Sequence, residues 1–369
     1  LIKLLQARGH KVCVIAPRDD YTDALTQLAV KYYPIDFSQR RLNPFREIVT
    51  IFRLICLYRR EKPSVVHHFT IKCVLYGTLA TRILGKIKVV NTITGMGHVF
   101  TDSGVKALFL RKIVEKMYSF ILSHPSNRVI FQNSEDLNTF VKKGLVDASR
   151  CYLIKGSGVN CERFKPPDEK TRHRDEVVRI LFASRLLKEK GLEEYLEAAR
   201  LLKNKRDNVE FLLAGDIYPA NPSSLTPNDV KIIKKEEGVV TFLGHVDDIR
   251  SLLMDADIVV LPSYHEGCPR ILIEAAAMEK PIVATNIPGC NGLVRNDVNG
   301  FLVPVKDAQS LADAIEVLVL DKEKREQFGK AGRKIVLDEF EEGIVLGKTL
   351  RVYHELYCSP TVKPSTPNR

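Results

Sequence analysis

Short β-rich apolar runs alternate with helix-length patterns along almost the whole chain, and no other feature constrains the fold as strongly. KVCVIAP precedes DALTQLAVKY, SVVHHF precedes VLYGTLATRIL, KVVNTI precedes ALFLRKIVEKMYSFIL, and RVIFQN precedes SEDLNTFVKKG. Strands separated by helices predict βαβ units, because a parallel neighbour needs a crossover long enough to hold a helix. The rhythm breaks near residue 165 at FKPPDEKTRHRDE, a charged, Pro-containing segment with linker composition. It then restarts through RILFAS, LEEYLEAARLLKN, VEFLLAG, VVTFLG, DIRSLLMDA, DIVVLPS, RILIEAAAMEK, PIVATN, GFLVPV and SLADAIEVLVL. A chain of 369 residues exceeds one core of ordinary size. Two α/β domains are expected, each an open doubly wound parallel sheet, over residues 1–165 and 176–340, followed by a helix and polar tail over 341–369. In such sheets ligands bind beyond the carboxyl ends of the strands near a switch point, and a cleft between two of them is the default active site.

The opening residues, LIKLLQARGHKVCVIAP, read as the end of a helix, a Gly stop and a strand, so a further strand is expected ahead of Leu1. No apolar run reaches the roughly 18–20 residues needed to span a bilayer. Eight scattered cysteines without a CxxC pair suit free thiols in a reducing compartment. Only the terminal SPTVKPSTPNR has the composition of a disordered segment.

The charge is unevenly divided. Residues 1–165 hold 27 Lys+Arg against 12 Asp+Glu, whereas the remainder holds 29 against 33. A basic first half suits nucleic acid, an anionic membrane surface or a phosphorylated substrate, or is merely a basic surface. NPFREIVTIFRLICLYRREKP sets Arg46, Arg53, Arg59 and Arg60 among Phe45, Ile48, Ile51, Phe52, Leu54 and Leu57, and VKALFLRKIVEKMYSFIL is similar. Each suits a membrane-surface helix or an ordinary amphipathic helix packed on its sheet. Together with the charge imbalance they favour a membrane-surface or lipid-phosphate role.

Two segments could carry chemistry. LFASRLLKEKGLEEYLEAA places Arg185 and Lys190 between a strand and a helix, where side-chain charge and backbone N–H donors together suit a phosphate; a solvated basic turn is the alternative. In DIVVLPSYHEGCPRILIEAAAMEK the strand should end near Leu261 and the helix begin around Pro269. Gly267 permits close approach of a ligand to the backbone. Glu266 then belongs to the loop and Glu274 to the helix, more than a turn further on, so the two carboxylates cannot act on one atom. Glu266 favouring the helix N-terminus and Glu274 pairing with Arg270 at i, i+4 are the alternative readings.

Taken in order and spacing, Arg185 with Lys190-Gly191, GHVDDIRSLLMDADIVVLPS, EGCPRILIEA and PGCNGLVRNDVNGFLVPV resemble the C-terminal half of the family 4 glycosyltransferases. VVHHFTIKCVLYG, NTITGMGHVFTDSG, VIFQNSED and IKGSGVNCERF resemble the N-domain of bacterial members, so the resemblance covers nearly the whole chain. It implies the GT-B fold: two Rossmann-like domains facing a cleft, here without the first strand and Gly-rich loop of the N-domain. It implies that Glu266 and Glu274 are the E-x7-E pair, Glu274 on the donor ribose and Glu266 by the donor sugar. Arg185 and Lys190 would hold the donor diphosphate, backbone around Gly267 and Cys268 would contact sugar or phosphate, and the turn containing Gly244, Val246 and Asp247 would flank the base. The implied reaction is retaining transfer of a hexose or N-acetylhexosamine from a UDP-sugar to a polyprenyl-diphosphate-linked saccharide, with no metal and no cofactor. Implied partners are a nucleotide sugar, a lipid-diphosphate-linked acceptor and an anionic membrane, and the implied location is cytoplasmic, peripheral on the inner membrane face.

The resemblance also makes Gly95 to His98 and Asn133 to Asp136 cleft-facing. It departs from the family where Thr94 stands before Gly95 in place of a His, leaving His98 as general base or as a structural histidine, the same choice that faces His67 and His68. Asn291-Gly292 stands where relatives often have Arg-Glu. Competing functions are a UDP-sugar 2-epimerase and a non-catalytic nucleotide-binding or interaction subunit. A dehydrogenase is disfavoured because no GxGxxG opens either domain, and no recognition motif accompanies the basic charge, so nucleic acid is not an expected partner.

Overall fold

The computed structural model describes residues 1–19, 22–37, 44–85, 87–95, 105–166, 176–219, 221, 223–235 and 238–358. The strands are β1 (Cys13–Ala16), β2 (Lys31–Pro34), β3 (Val65–Phe69), β4 (Lys88–Ile93), β5 (Asn127–Phe131) and β6 (Cys151–Leu153). They continue with β7 (Val178–Ala183), β8 (Val209–Ala214), β9 (Thr241–Gly244), β10 (Ile258–Leu261), β11 (Ile282–Thr285) and β12 (Gly300–Val303). The helices are α1 (Ile2–Ala7), α2 (Thr22–Gln27), α3 (Pro44–Glu61), α4 (Ile71–Leu84), α5 (Val105–Leu122), α6 (Ser134–Lys142) and α7 (Leu192–Lys203). They continue with α8 (Pro227–Lys235), α9 (Ile249–Asp255), α10 (Arg270–Ala277), α11 (Pro288–Asn291), α12 (Ala308–Leu320), α13 (Lys322–Glu339) and α14 (Glu342–Cys358).

The chain divides into two compact units, one of Leu1–Ile130, Thr139–Tyr152 and Thr349–Arg369, the other of Phe131–Asn138 and Leu153–Lys348. The units therefore interleave along the chain, where the sequence reading has the consecutive segments 1–165, 176–340 and 341–369. The later part of α14 belongs to the first unit for a chemical reason. Tyr353 shares a 2.6 Å hydrogen bond with His67 Nδ1, Lys88 Nζ donates to the Leu356 carbonyl at 2.7 Å, and the Tyr357 hydroxyl donates to Ser64 Oγ at 2.6 Å. The polar tail after Cys358, His98 and most of the linker lie outside the described residues.

In the first unit β1 pairs with β2 in parallel, and β3-β4-β5-β6 lie in chain order in a separate sheet. His67 and His68 lie on β3, paired in parallel with β4. His67 Nε2 is 2.7 Å from Thr92 Oγ1, and His68 lies between Asn91 Oδ1 at 2.9 Å and the Tyr58 hydroxyl at 3.0 Å. Burial lowers their basicity to about 3 and about 4, so both are neutral structural histidines at neutral pH.

The second unit holds a six-stranded sheet in the order β12-β11-β10-β7-β8-β9, every pair parallel. Strands buried on both faces read as unbroken apolar runs, and β10 and β11 are buried at every position. Tyr195 of α7 is fully buried, and its hydroxyl lies 2.8 and 2.9 Å from the carbonyl oxygens of Ile180 and Leu212, fixing α7 over β7 and β8. Among the described residues no helix is long and apolar enough to cross a membrane.

Candidate functional site

The order of the second sheet fixes where a ligand can sit. From β7 the chain winds outward to β8 and β9, returns to β10 beside β7, and winds outward the other way. The loops leaving β7 and β10 therefore diverge at the topological switch point and open a crevice there. The β7 loop carries Arg185 and Lys190; the β10 loop carries Glu266, Gly267 and Cys268.

These loops are held together by backbone packing. Gly191 has φ +75°, and a Cβ there would lie 2.0 Å from the Pro262 carbonyl oxygen, so only glycine allows the approach. Tyr264 N–H and the Ser263 hydroxyl donate to the Glu189 carbonyl at 2.9 and 3.2 Å, and the Tyr264 hydroxyl donates to Glu194 Oε1 at 2.7 Å. From the other side Gly289 packs on the backbone of Glu266, where a Cβ would meet the Glu266 oxygen at 2.3 Å. So clamped, Glu266 Oε1 meets Lys190 Nζ at 2.5 Å, with the two side chains 12% and 15% exposed.

Glu274 is separate from that pair, as its place in a helix requires. α10 begins after Pro269, and Glu274 lies one turn in, 7% exposed, with Oε1 2.6 Å from Arg270 Nε. Burial raises its carboxyl above the ordinary Glu range, the Asp248 charge adds to this, and Arg270 and Arg163 oppose it. Asp248 caps α9 and takes the Arg250 guanidinium on both oxygens at 2.9 Å, which holds its carboxyl down to about 2. In the turn before it, the Gly244 carbonyl accepts from Gly215 N–H at 2.7 Å, Val246 packs on the core, and Asp247 is fully exposed, 3.2 Å from His245 Nε2. The Arg185 guanidinium lies 5.1 Å above the Tyr218 ring.

The middle of the β10 loop has a further tie. Asn133 Nδ2 donates to the Gly267 carbonyl at 3.2 Å and to Asp136 Oδ2 at 3.0 Å, while its Oδ1 accepts the Asp136 N–H at 2.8 Å and caps α6. Burial raises the Asp136 carboxyl. Burial likewise pushes the Cys268 thiol up to about 12, so it is no nucleophile at neutral pH. At the Asn291-Gly292 departure, the Gly292 carbonyl accepts from Lys155 Nζ at 3.3 Å, and Lys155 also pairs with Glu339 at 2.9 Å.

Sequence reasoning missed Gly191 and Gly289 as clamps, Tyr218 beneath Arg185, and the reach of Asn133 to Gly267. The glycines had a local signal, each beside a strand-to-helix turn. The other two depend on contacts far apart in sequence. Among the described residues no group of three or more His, Cys, Asp or Glu side chains is placed to share a metal ion.

Two parallel-sheet units, one in Rossmann order with cations and carboxylates at its switch point, form the architecture of the GT-B glycosyltransferases. The chain belongs to the family 4-like glycosyltransferases: residues 1–133 match the family model described as Glycosyl transferase 4-like, and residues 165–335 that described as Glycosyl transferases group 1. The chain is 30% identical to the N,N'-diacetylbacillosaminyl-diphospho-undecaprenol alpha-1,3-N-acetylgalactosaminyltransferase of Campylobacter jejuni, over 96% of this chain and 93% of that protein. It is 27% identical to the UDP-Gal:alpha-D-GlcNAc-diphosphoundecaprenol alpha-1,3-galactosyltransferase of Escherichia coli, over 83% and 78% respectively. The crystal structure of Anabaena Alr3699/HepE in complex with UDP superposes with a TM-score of 0.74 at 20% identity, covering 96% of this chain and 94% of that one. The enzyme is a glycosyltransferase.

Proposed function

We propose that this enzyme moves a hexose or N-acetylhexosamine, with retention of anomeric configuration, from a UDP-sugar to a polyprenyl-diphosphate-linked saccharide in cell-surface glycan assembly. The observation that carries the donor half is the meeting of Lys190 with Glu266 at the switch point, with Glu274 one helical turn beyond. Arg185 and Lys190 are fixed charges suited to a diphosphate and to the negative charge that grows on it as the glycosidic bond breaks. That role is one a metal ion fills elsewhere, so the reading is metal-independent, with no cofactor besides the donor. The Glu274 carboxylate would exchange Arg270 for the two ribose hydroxyls, and Glu266 would release Lys190 to the phosphate and turn to the sugar. The turn containing Gly244, Val246 and Asp247 would flank the base, and the backbone at Gly267 and Cys268 would face sugar or phosphate.

The acceptor half is supported by names. The Campylobacter relative is named for a diphospho-undecaprenol acceptor, and the E. coli relative for a UDP-Gal donor and a diphosphoundecaprenol acceptor. The basic excess of the first 165 residues suits an acceptor diphosphate and an anionic membrane, and supports the reading of a peripheral enzyme on the cytoplasmic face. The test is a transfer assay with a panel of UDP-sugars against polyprenyl-diphosphate-linked glycans, followed by anomer assignment of the product. A new α-linked residue on one acceptor is expected. Absence of turnover across the panel, or donor isomerisation without acceptor, overturns the proposal.

A further inference from the structure

Helix α3 presents a face that a helix bordering water should not. Its inner side is ordinary: Leu54, Leu57 and Tyr58 are buried, the helix packs on α4, and Glu47 pairs with Lys72 of α4 at 3.0 Å. Its outer side carries Phe45, Ile48, Val49 and Phe52, exposed by 82, 63, 49 and 64%, at the i, i+3, i+4, i+7 spacing of one stripe. The exposed Cys56 continues it a turn further. Along one border run Arg46, Arg53 and Arg60, seven residues apart and therefore aligned, and Arg59 is exposed near the other border. Scattered exposed apolar residues need no explanation, but a continuous stripe rimmed by charge marks a binding face.

We propose that α3 is a membrane-contact element: its Phe45–Ile48–Val49–Phe52 stripe enters the interface of an anionic bilayer, with Arg46 and Arg53 at headgroup phosphates. The occupant follows from charge and length. No acidic residue lies on the exposed stripe: Glu47 is engaged by Lys72, and Glu61 at the helix end by Lys31 at 3.1 Å and the Tyr33 hydroxyl at 2.6 Å. A second copy docking here about a two-fold axis would set one arginine row against another. An anionic lamella complements that row and takes apolar side chains to the depth one helical face can reach. Eighteen residues span about 27 Å, enough for a helix lying in the interface plane. Arg60 is held over the Tyr33 ring at 4.9 Å, which orients the end of the helix rather than adding to the lipid contact. The inference rests on the proposed lipid-borne acceptor, since such an acceptor is what brings the enzyme to a bilayer.

The chain contains no tryptophan, so Phe45→Trp supplies a single reporter, with Leu320→Trp, at an exposed position of the other unit, as control. Phosphatidylglycerol/phosphatidylethanolamine vesicles should shift Phe45→Trp emission to the blue and leave Leu320→Trp unchanged, and phosphatidylcholine vesicles should shift neither. In co-sedimentation, Phe45→Ser with Phe52→Ser should weaken vesicle binding about ten-fold or more. Arg46→Glu with Arg53→Glu should weaken it at least as much and flatten its salt dependence. The Phe45→Ser/Phe52→Ser variant is also assayed for transfer to a water-soluble, short-chain diphosphate-linked acceptor, where activity should match the unsubstituted enzyme. Failure of transfer by the unsubstituted enzyme, with vesicle binding intact, strikes the functional reading and spares this one. Equal vesicle binding by all variants overturns the inference, as does a concentration-dependent dimer abolished by the Phe substitutions.

Discussion

The Lys190–Glu266 pair is the point at which removing single atoms separates competing accounts. Two unit charges about 4 Å apart attract by about 4 kcal/mol at an effective dielectric constant near 20. Desolvation of two side chains that are only 15% and 12% exposed offsets part of this, leaving an expected coupling of about 1.5–3 kcal/mol. Lys190→Met alone strands the Glu266 carboxylate in its clamp and should cost the second unit about 2–3 kcal/mol, as should the converse Glu266→Gln. The double variant should cost about 1 kcal/mol or less, since neither charge is then buried alone. Native-state hydrogen exchange of the β10 amides reads this unit separately from the other. UDP titration then separates the roles. Lys190→Met should weaken UDP about ten-fold or more through loss of a charge-assisted contact, whereas Glu266→Gln, which frees Lys190, should bind UDP at least as tightly and still lose transfer. Additive stability losses would refute the pairing, and UDP weakened equally by both substitutions would refute the division of labour.

Other consequences can be measured directly. Gly191→Ala should destabilise the second unit by about 3 kcal/mol or more, because the new Cβ meets the Pro262 oxygen at 2.0 Å on top of a left-handed backbone, whereas Gly85→Ala, equally left-handed but with open space, should cost only about 1 kcal/mol; paired thermal melts decide. Asn133→Ala removes the donor to the Gly267 carbonyl and should raise the KM for the sugar nucleotide about five-fold with less effect on kcat, Asn133→Asp failing to restore it. Acid should destabilise the first unit early. Unfolded histidine takes a proton near pH 6.5, while His67 and His68 resist down to about 3 and about 4, so the stability present above 6.5 is lost progressively as the pH falls to about 3. His67→Gln should flatten that limb of a urea-midpoint profile.

Much of this was legible because it is local. Apolar runs such as DIVVLP and PIVATN became β10 and β11, and Pro269 marks the start of α10, because strand burial and helix initiation are written within a few residues. The separation of Glu266 from Glu274 followed from the same local reading. Strand order was not legible, although it is what brings the β7 loop beside the β10 loop and Lys190 to Glu266. Nor was the return of α14 to the first unit, which rests on Tyr353, Lys88 and Ser64, hundreds of residues apart in part. Arg270 illustrates a choice that the sequence left open: it does pair with Glu274, and burial still leaves that carboxyl above its ordinary range.

The central claim is that Glu274 recognises the ribose while Lys190 and Arg185 hold the diphosphate. Isothermal titration of Glu274→Ala with UDP and with inorganic pyrophosphate tests it most directly. The account predicts UDP affinity reduced about ten-fold or more with pyrophosphate affinity unchanged. Unchanged UDP affinity, or an equal loss for both ligands, would contradict it.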